Sequence, residues 1–145
     1  EKTLVMKNEF LDLMNKDTEE FLELMKAFKL PKESDEDKKI RSQKIQEGYV
    51  KALKVPLEVA EKAFDIYKYI EVASRLGNKN AISDAGVAAL MIQAALEGAI
   101  LNVKINLGSI KDDGYKKEIT SICEELITKG RNKRDNILSV VNNQI

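Results

Sequence analysis

Apolar residues recur at i, i+3 and i+4 along most of the chain, the period of amphipathic helices, and breaks in that pattern divide it into about five helices. The first opens at Glu1 and runs to about residue 29, with Phe10, Met14, Phe21, Met25 and Phe28 on one stripe. Asp17 falls inside this stripe, where a carboxylate should be partly desolvated. It either pairs across the bundle or faces a crevice. Pro31 ends the helix, and Ser34-Asp35-Glu36-Asp37 reads as an N-cap followed by an acidic first turn. A peripheral second helix reaches about Leu53 on a weak stripe of Ile40, Ile45, Tyr49 and Leu53. Pro56 opens the third, whose stripe is Val59, Ala63, Ile66, Tyr67, Ile70 and Ala73, with Gly77 as its C′ residue. Tyr67 and Tyr69 read as packing residues. After the turn Asp112-Asp113-Gly114, Tyr115, Ile119, Ile122, Leu126, Ile137 and Val141 sustain a long last helix, with Gly130 as the place for a bend. Cys123 reads as a small core residue.

The remaining helix, residues 84 to 107, differs from the others. From Ala85 to Leu101 its only charged residue is Glu97, so it is expected at the centre of the bundle, buried on most sides. Ser83 suits its N-cap and Asp84 complements the dipole in the first turn. With Asn78 and Asn80 just before them, these residues gather amides, a hydroxyl and a carboxylate near a helix N-terminus, a cluster able to hold a polar heterocycle or an anion. Asn102 and Asn106 share a face at i and i+4, and Asp84 lies on that face about 27 Å away along the axis. No small substrate spans that distance in one subunit; two sites, a long ligand or an antiparallel dimer would reconcile the two ends. Interhelical hydrogen bonds and ligand binding both fit the paired asparagines.

Composition narrows the chemistry. With 145 residues the chain is long enough for one all-α domain with a sizeable core. Lys plus Arg and Asp plus Glu are both 24, so no global field favours nucleic acid or an anionic membrane. No apolar run approaches the roughly 20 charge-free residues of a membrane span. One cysteine suits a reducing, cytoplasmic setting. There are 0 histidines, which removes the commonest general base, the Ser-His-Asp arrangement and every His-containing zinc site. Proton transfer falls to carboxylates, lysines or tyrosines.

Gly77-Asn78-Lys79-Asn80, Ser83-Asp84 and Asn102-Val103-Lys104-Ile105-Asn106-Leu107 closely resemble the signature of the formiminotransferase-cyclodeaminase family, which includes bacterial methenyltetrahydrofolate cyclohydrolases. Asp17-Thr18-Glu19-Glu20-Phe21, Leu30-Pro31, Arg41, Ile45-Gln46, Val55-Pro56-Leu57 and Lys111-Asp112 follow the same pattern in the same order. The resemblance implies a dimeric, all-helical folate enzyme of one-carbon metabolism with no metal or redox cofactor, the tetrahydrofolate derivative being the substrate. It implies either closure of 5-formiminotetrahydrofolate to the 5,10-methenyl form with loss of ammonia, or interconversion of the methenyl and 10-formyl forms with water. Asp17 and Asp84 are then the acid–base or cation-stabilising candidates, and Asn78, Asn80, Ser83, Asn102 and Asn106 the substrate-binding ones. Members usually begin with a further segment carrying a glycine-rich turn; its absence here implies a lost N-terminal segment. The rival expectation is a non-catalytic helical module for folate binding or dimerisation.

Overall fold

The computed structural model describes residues 2–145, so Glu1, at which the first helix was expected to open, lies outside the described residues. The described residues form an all-helical bundle of four long helices: α1 (Lys2–Phe28), α2 (Asp35–Leu76), α3 (Ile82–Leu107) and α4 (Asp113–Asn142). A single 3₁₀ turn, Lys79–Ala81, precedes α3. Helix α3 packs between α2 and α4, while α1 lies against α2 alone. The angle between α1 and α3 is thereby left open.

Four helices replace the expected five because α2 runs straight through Pro56. Proline removes one helical N–H and its ring crowds the carbonyl four residues back, a combination costing about 3 kcal/mol in a helix interior. Two features offset that cost here. Leu53, Val55 and Ala60 around the proline are fully buried in the main core, together with Leu96, Ile100 and Val103 of α3. The Ala52 carbonyl, which would have accepted from residue 56, instead accepts from Nδ2 of Asn106 at 3.4 Å. The segment expected at the periphery therefore ends in the core.

Other local expectations meet the structure in different ways. Ser34 and Asp37 form a reciprocal capping box, Ser34 Oγ accepting from the Asp37 N–H at 3.0 Å and Asp37 Oδ2 accepting from the Ser34 N–H at 3.1 Å. Asp112 caps α4, its Oδ1 accepting from the Tyr115 N–H at 2.9 Å. Ser83, by contrast, is not an N-cap: α3 starts at Ile82, and it is Asn78 that caps the preceding 3₁₀ turn by accepting from the Asn80 N–H. Gly77 is extended (φ −76°, ψ −179°) rather than left-handed. A glycine is needed there because a Cβ would run into the Ala73 carbonyl. Helix α4 is continuous through Gly130, which is buried and lets α4 approach Gln93 of α3.

The apolar stripe of α1 is also rotated from its expected position. Leu13, Leu24 and Ala27 are buried, whereas Met14 (65% exposed) and Phe21 (54%) face outward. Asp17 continues the Leu13 side of the helix, and it is exposed because α1 stands clear of α3 at that level. Helix α3 is less enclosed than its composition suggested. Met91 (68% exposed), Leu101 and Ile105 (74%) stand in the open on one side of it. The segment Lys79–Leu107 is, by length and composition, long and apolar enough to cross a membrane; an 18-residue window within it has mean hydropathy 1.6 and is 39% buried. Asp84, Glu97 and Lys104 interrupt the segment, so its charge-free run, residues 85–96, still falls short of the expected criterion.

Candidate functional site

Two hollows occupy the angle between α1, α2 and α3, and they meet at Ala95 on α3. The larger, about 750 Å³, lies along the N-terminal half of α3. Its walls are mainly aliphatic (Ile66, Ile70 and Ile92 among them), with Thr3, Tyr69, Asn78 and Asp84 as polar exceptions. The smaller, about 400 Å³, lies along the C-terminal half and brings Asp17 and Thr18 of α1 together with Asn102 of α3 and Pro56 of α2. Space arises there because α3 carries alanines where its neighbours would otherwise interlock: Ala85, Ala88 and Ala95 in the first hollow, Ala95 and Ala99 in the second. Small residues recurring on one helix face were the sequence signal for this trough; the polar residues drew attention first.

The seven candidate residues are divided by the fold. Asn78 and Asp84 share the large chamber, and Asp17 and Asn102 share the smaller cleft. Asp17, Asn78, Asp84 and Asn102 are exposed, so the desolvation expected at Asp17 is not present. Asn80 and Ser83 are exposed and stand outside both walls. Asn106 also stands outside them. Its Nδ2 faces two backbone carbonyls, those of Ala52 at 3.4 Å and Asn102 at 3.2 Å, and so helps join α3 to the proline-interrupted turn of α2.

A second polar constellation escaped the pattern of the sequence. On the α4 side of α3, Gln93 is 3% exposed, and its Oε1 accepts from the Tyr67 hydroxyl at 2.7 Å. Its Nε2 donates to Glu97 Oε1 at 2.8 Å. Arg131 of α4 completes the chain with two bonds to the Glu97 carboxylate, 2.9 and 3.0 Å long. Hydrogen bonds from Arg131 and then Gln93 hold the Glu97 carboxyl down to about 2, and burial pushes the Tyr67 phenol up to about 12. These groups saturate one another and form a polar seam between helices rather than an open site. Burial likewise raises the Cys123 thiol, as suits an inert core residue.

Several of the motif residues around the trough have structural work. Arg41 donates to the Phe28 carbonyl through Nε and Nη2 (3.3 and 3.1 Å), closing the C-terminus of α1 while its guanidinium lies 5.9 Å from the Phe28 ring centroid. Gln46 clasps the α3–α4 connection from both sides, donating to the Ser109 carbonyl at 3.0 Å and accepting from the Lys111 N–H at 2.8 Å.

The family model for formiminotransferase-cyclodeaminase matches residues 1–125. The chain belongs to that family. It is 32% identical over 145 residues to a methenyltetrahydrofolate cyclohydrolase of Methylorubrum extorquens, covering 100% of this chain and 70% of the relative. It is 34% identical over 119 residues to the formimidoyltransferase-cyclodeaminase of Sus scrofa, covering 82% of this chain and 22% of that longer protein. Its fold superposes on the crystal structure of formiminotetrahydrofolate cyclodeaminase from Thermotoga maritima with a TM-score of 0.82 at 27% identity, covering 95% of this chain and 65% of that one. This member of the family thus spans about two thirds of the structural relative and less than a quarter of the Sus scrofa protein.

Proposed function

We propose that the trough beside α3 binds a tetrahydrofolate derivative and that the chain catalyses cyclodeaminase or cyclohydrolase chemistry at the bridge between N5 and N10. The observation that carries this reading is the gathering of signature residues in two hollows that share Ala95: Asn78 and Asp84 in one, Asp17 and Asn102 in the other. The trough is elongated and mostly apolar, a shape matched to a long aromatic ligand with polar ends. In the deaminase direction, N10 attacks the protonated formimino carbon, the N10 proton passes to the former imino nitrogen of the tetrahedral centre, and ammonia departs as that C–N bond breaks, leaving the methenyl cation. In the hydrolase direction, water adds to that cation and releases one proton, and the carbinol proton passes to N5 as the C–N5 bond breaks to give the 10-formyl form. Both need a group that moves one proton and favours positive charge. Asp84, at the edge of an apolar chamber, suits both tasks, and no metal or redox group is needed. The relatives' names divide between the two reactions. Following methenyl absorbance with and without ammonia release decides between them, and absence of both saturable folate binding and turnover would refute the proposal.

The same reading includes a cytoplasmic homodimer. Val87, Met91, Ala94, Gly98, Leu101 and Ile105 follow a four–three spacing along one side of α3, immediately beside the trough. Val87, Met91, Leu101 and Ile105 are exposed, and a Cβ added to Gly98 would meet nothing within 4 Å. A second copy laid antiparallel on this stripe would wall the trough and bring its own C-terminal half of α3 toward the first copy's Asp84 end. Sedimentation of the wild type and of Leu101→Glu tests this: the expected result is a dimer converted to a monomer, with loss of turnover.

A further inference from the structure

The chamber beside Asp84 contains one aromatic ring. Alanines and aliphatic chains make up most of its wall, and Tyr69, half-buried on α2, interrupts them. Tyr67, two residues earlier, turns away into the polar seam with Gln93, so the two tyrosines of this turn have separate duties. The Tyr69 ring already attracts one cation: Lys68 Nζ lies 5.2 Å from its centroid, while Lys68 itself borders a different surface hollow with Glu71 and Arg75.

On the folate reading above, the reacting species in either direction is an amidinium-like cation, the formimino or the methenyl form. Such a charge entering a mostly aliphatic chamber loses water, and the wall must replace that hydration. Asp84 supplies a carboxylate. Asn78 adds an amide, whose Oδ1 already accepts from the Asn80 N–H at 3.0 Å. The one aromatic surface in the wall is the ring of Tyr69. Aliphatic side chains would fill the same space and offer the charge nothing. The geometry points to Tyr69 as a specificity-determining residue that receives the cationic one-carbon centre on its ring face and favours it over neutral folates.

The test compares wild type, Tyr69→Leu and Tyr69→Phe on two ligands: 5,10-methenyltetrahydrofolate, followed by kcat/KM, and unsubstituted tetrahydrofolate, followed as a competitive inhibitor. Where the wild type binds the methenyl form without turnover, its Kd replaces kcat/KM. Tyr69→Leu is expected to lose roughly tenfold toward the cation while inhibition by the neutral ligand stays within about twofold, and Tyr69→Phe restores the discrimination. Equal weakening of both ligands by Tyr69→Leu would show the ring to be only a wall. Loss in Tyr69→Phe matching that in Tyr69→Leu would assign the effect to the hydroxyl. Either result overturns the inference while leaving the folate site standing. A wild type that binds neither ligand removes the folate reading itself, so the two failures are distinct.

Discussion

On the side of α3 that meets α4, Gln93 and Glu97 are joined to Tyr67 and Arg131 by a continuous run of hydrogen bonds. On the side that meets the trough, Asp84 and Asn102 are exposed in the walls of open hollows. One helix therefore carries polar side chains under two regimes. Where a polar group must be buried, partners are supplied, and its removal should be felt in stability. Where it lines a hollow, packing demands nothing of it, and its removal should be felt in binding or turnover. A polar residue on an apolar helix says little by its identity; what it faces decides.

The largest expected effect falls on the trough side. Asp84→Asn should lower turnover about a hundredfold or more while changing unfolding free energy by less than about 1 kcal/mol, measured by methenyl absorbance and denaturant titration. Unchanged activity would reduce Asp84 to a favourable charge at the start of α3. On the seam side, Gly130→Ala would place a Cβ 2.6 Å from Gln93 Oε1, which the Tyr67 hydroxyl holds in place. Overpacking costs about 1–3 kcal/mol, offset in part by the roughly 1 kcal/mol by which alanine favours a helix, so a net loss of up to about 2 kcal/mol is expected.

Smaller effects sharpen the contrast between the asparagines. Asn106→Ala leaves the Ala52 carbonyl without its side-chain donor and should cost about 1 kcal/mol; Asn102→Ala should cost less than about 0.5 kcal/mol yet weaken folate binding. Denaturant melts of both variants, with folate titration, would separate them. The smallest effect is acid sensitivity. The Glu97 carboxyl is held below its ordinary value of 4.5, at about 2, so its contribution is full above pH 4.5 and is lost as pH falls through about 2. Because 34% of that side chain is exposed, solvent screening limits the contribution to below about 1 kcal/mol. Comparing wild type with Glu97→Gln across that interval should show their stabilities converging as the pH drops.

Much of this arrangement was legible in the sequence. The helical period, the Ser34 N-cap and the apolar composition of α3 follow local rules that tertiary packing did not override. The continuity of α2 through Pro56 was not legible, because the group that answers the freed carbonyl lies 54 residues away on α3. The seam was hidden for a similar reason: Gln93 and Arg131 look like ordinary surface residues until α3 and α4 are set side by side. The division of the signature residues between two hollows depends on α1 standing off α3, which no periodicity in either helix records.

The proline in α2 also constrains assembly. Before α3 docks, the turn at Ala52 is one bond short, and the segments on either side of it have no strong reason to stay collinear. A peptide spanning 35–76 alone should therefore behave as two loosely hinged rods, which straighten when the partner amide arrives. The length of α2 is thus a property of the assembled bundle, and its middle is where a loosened bundle would first buckle.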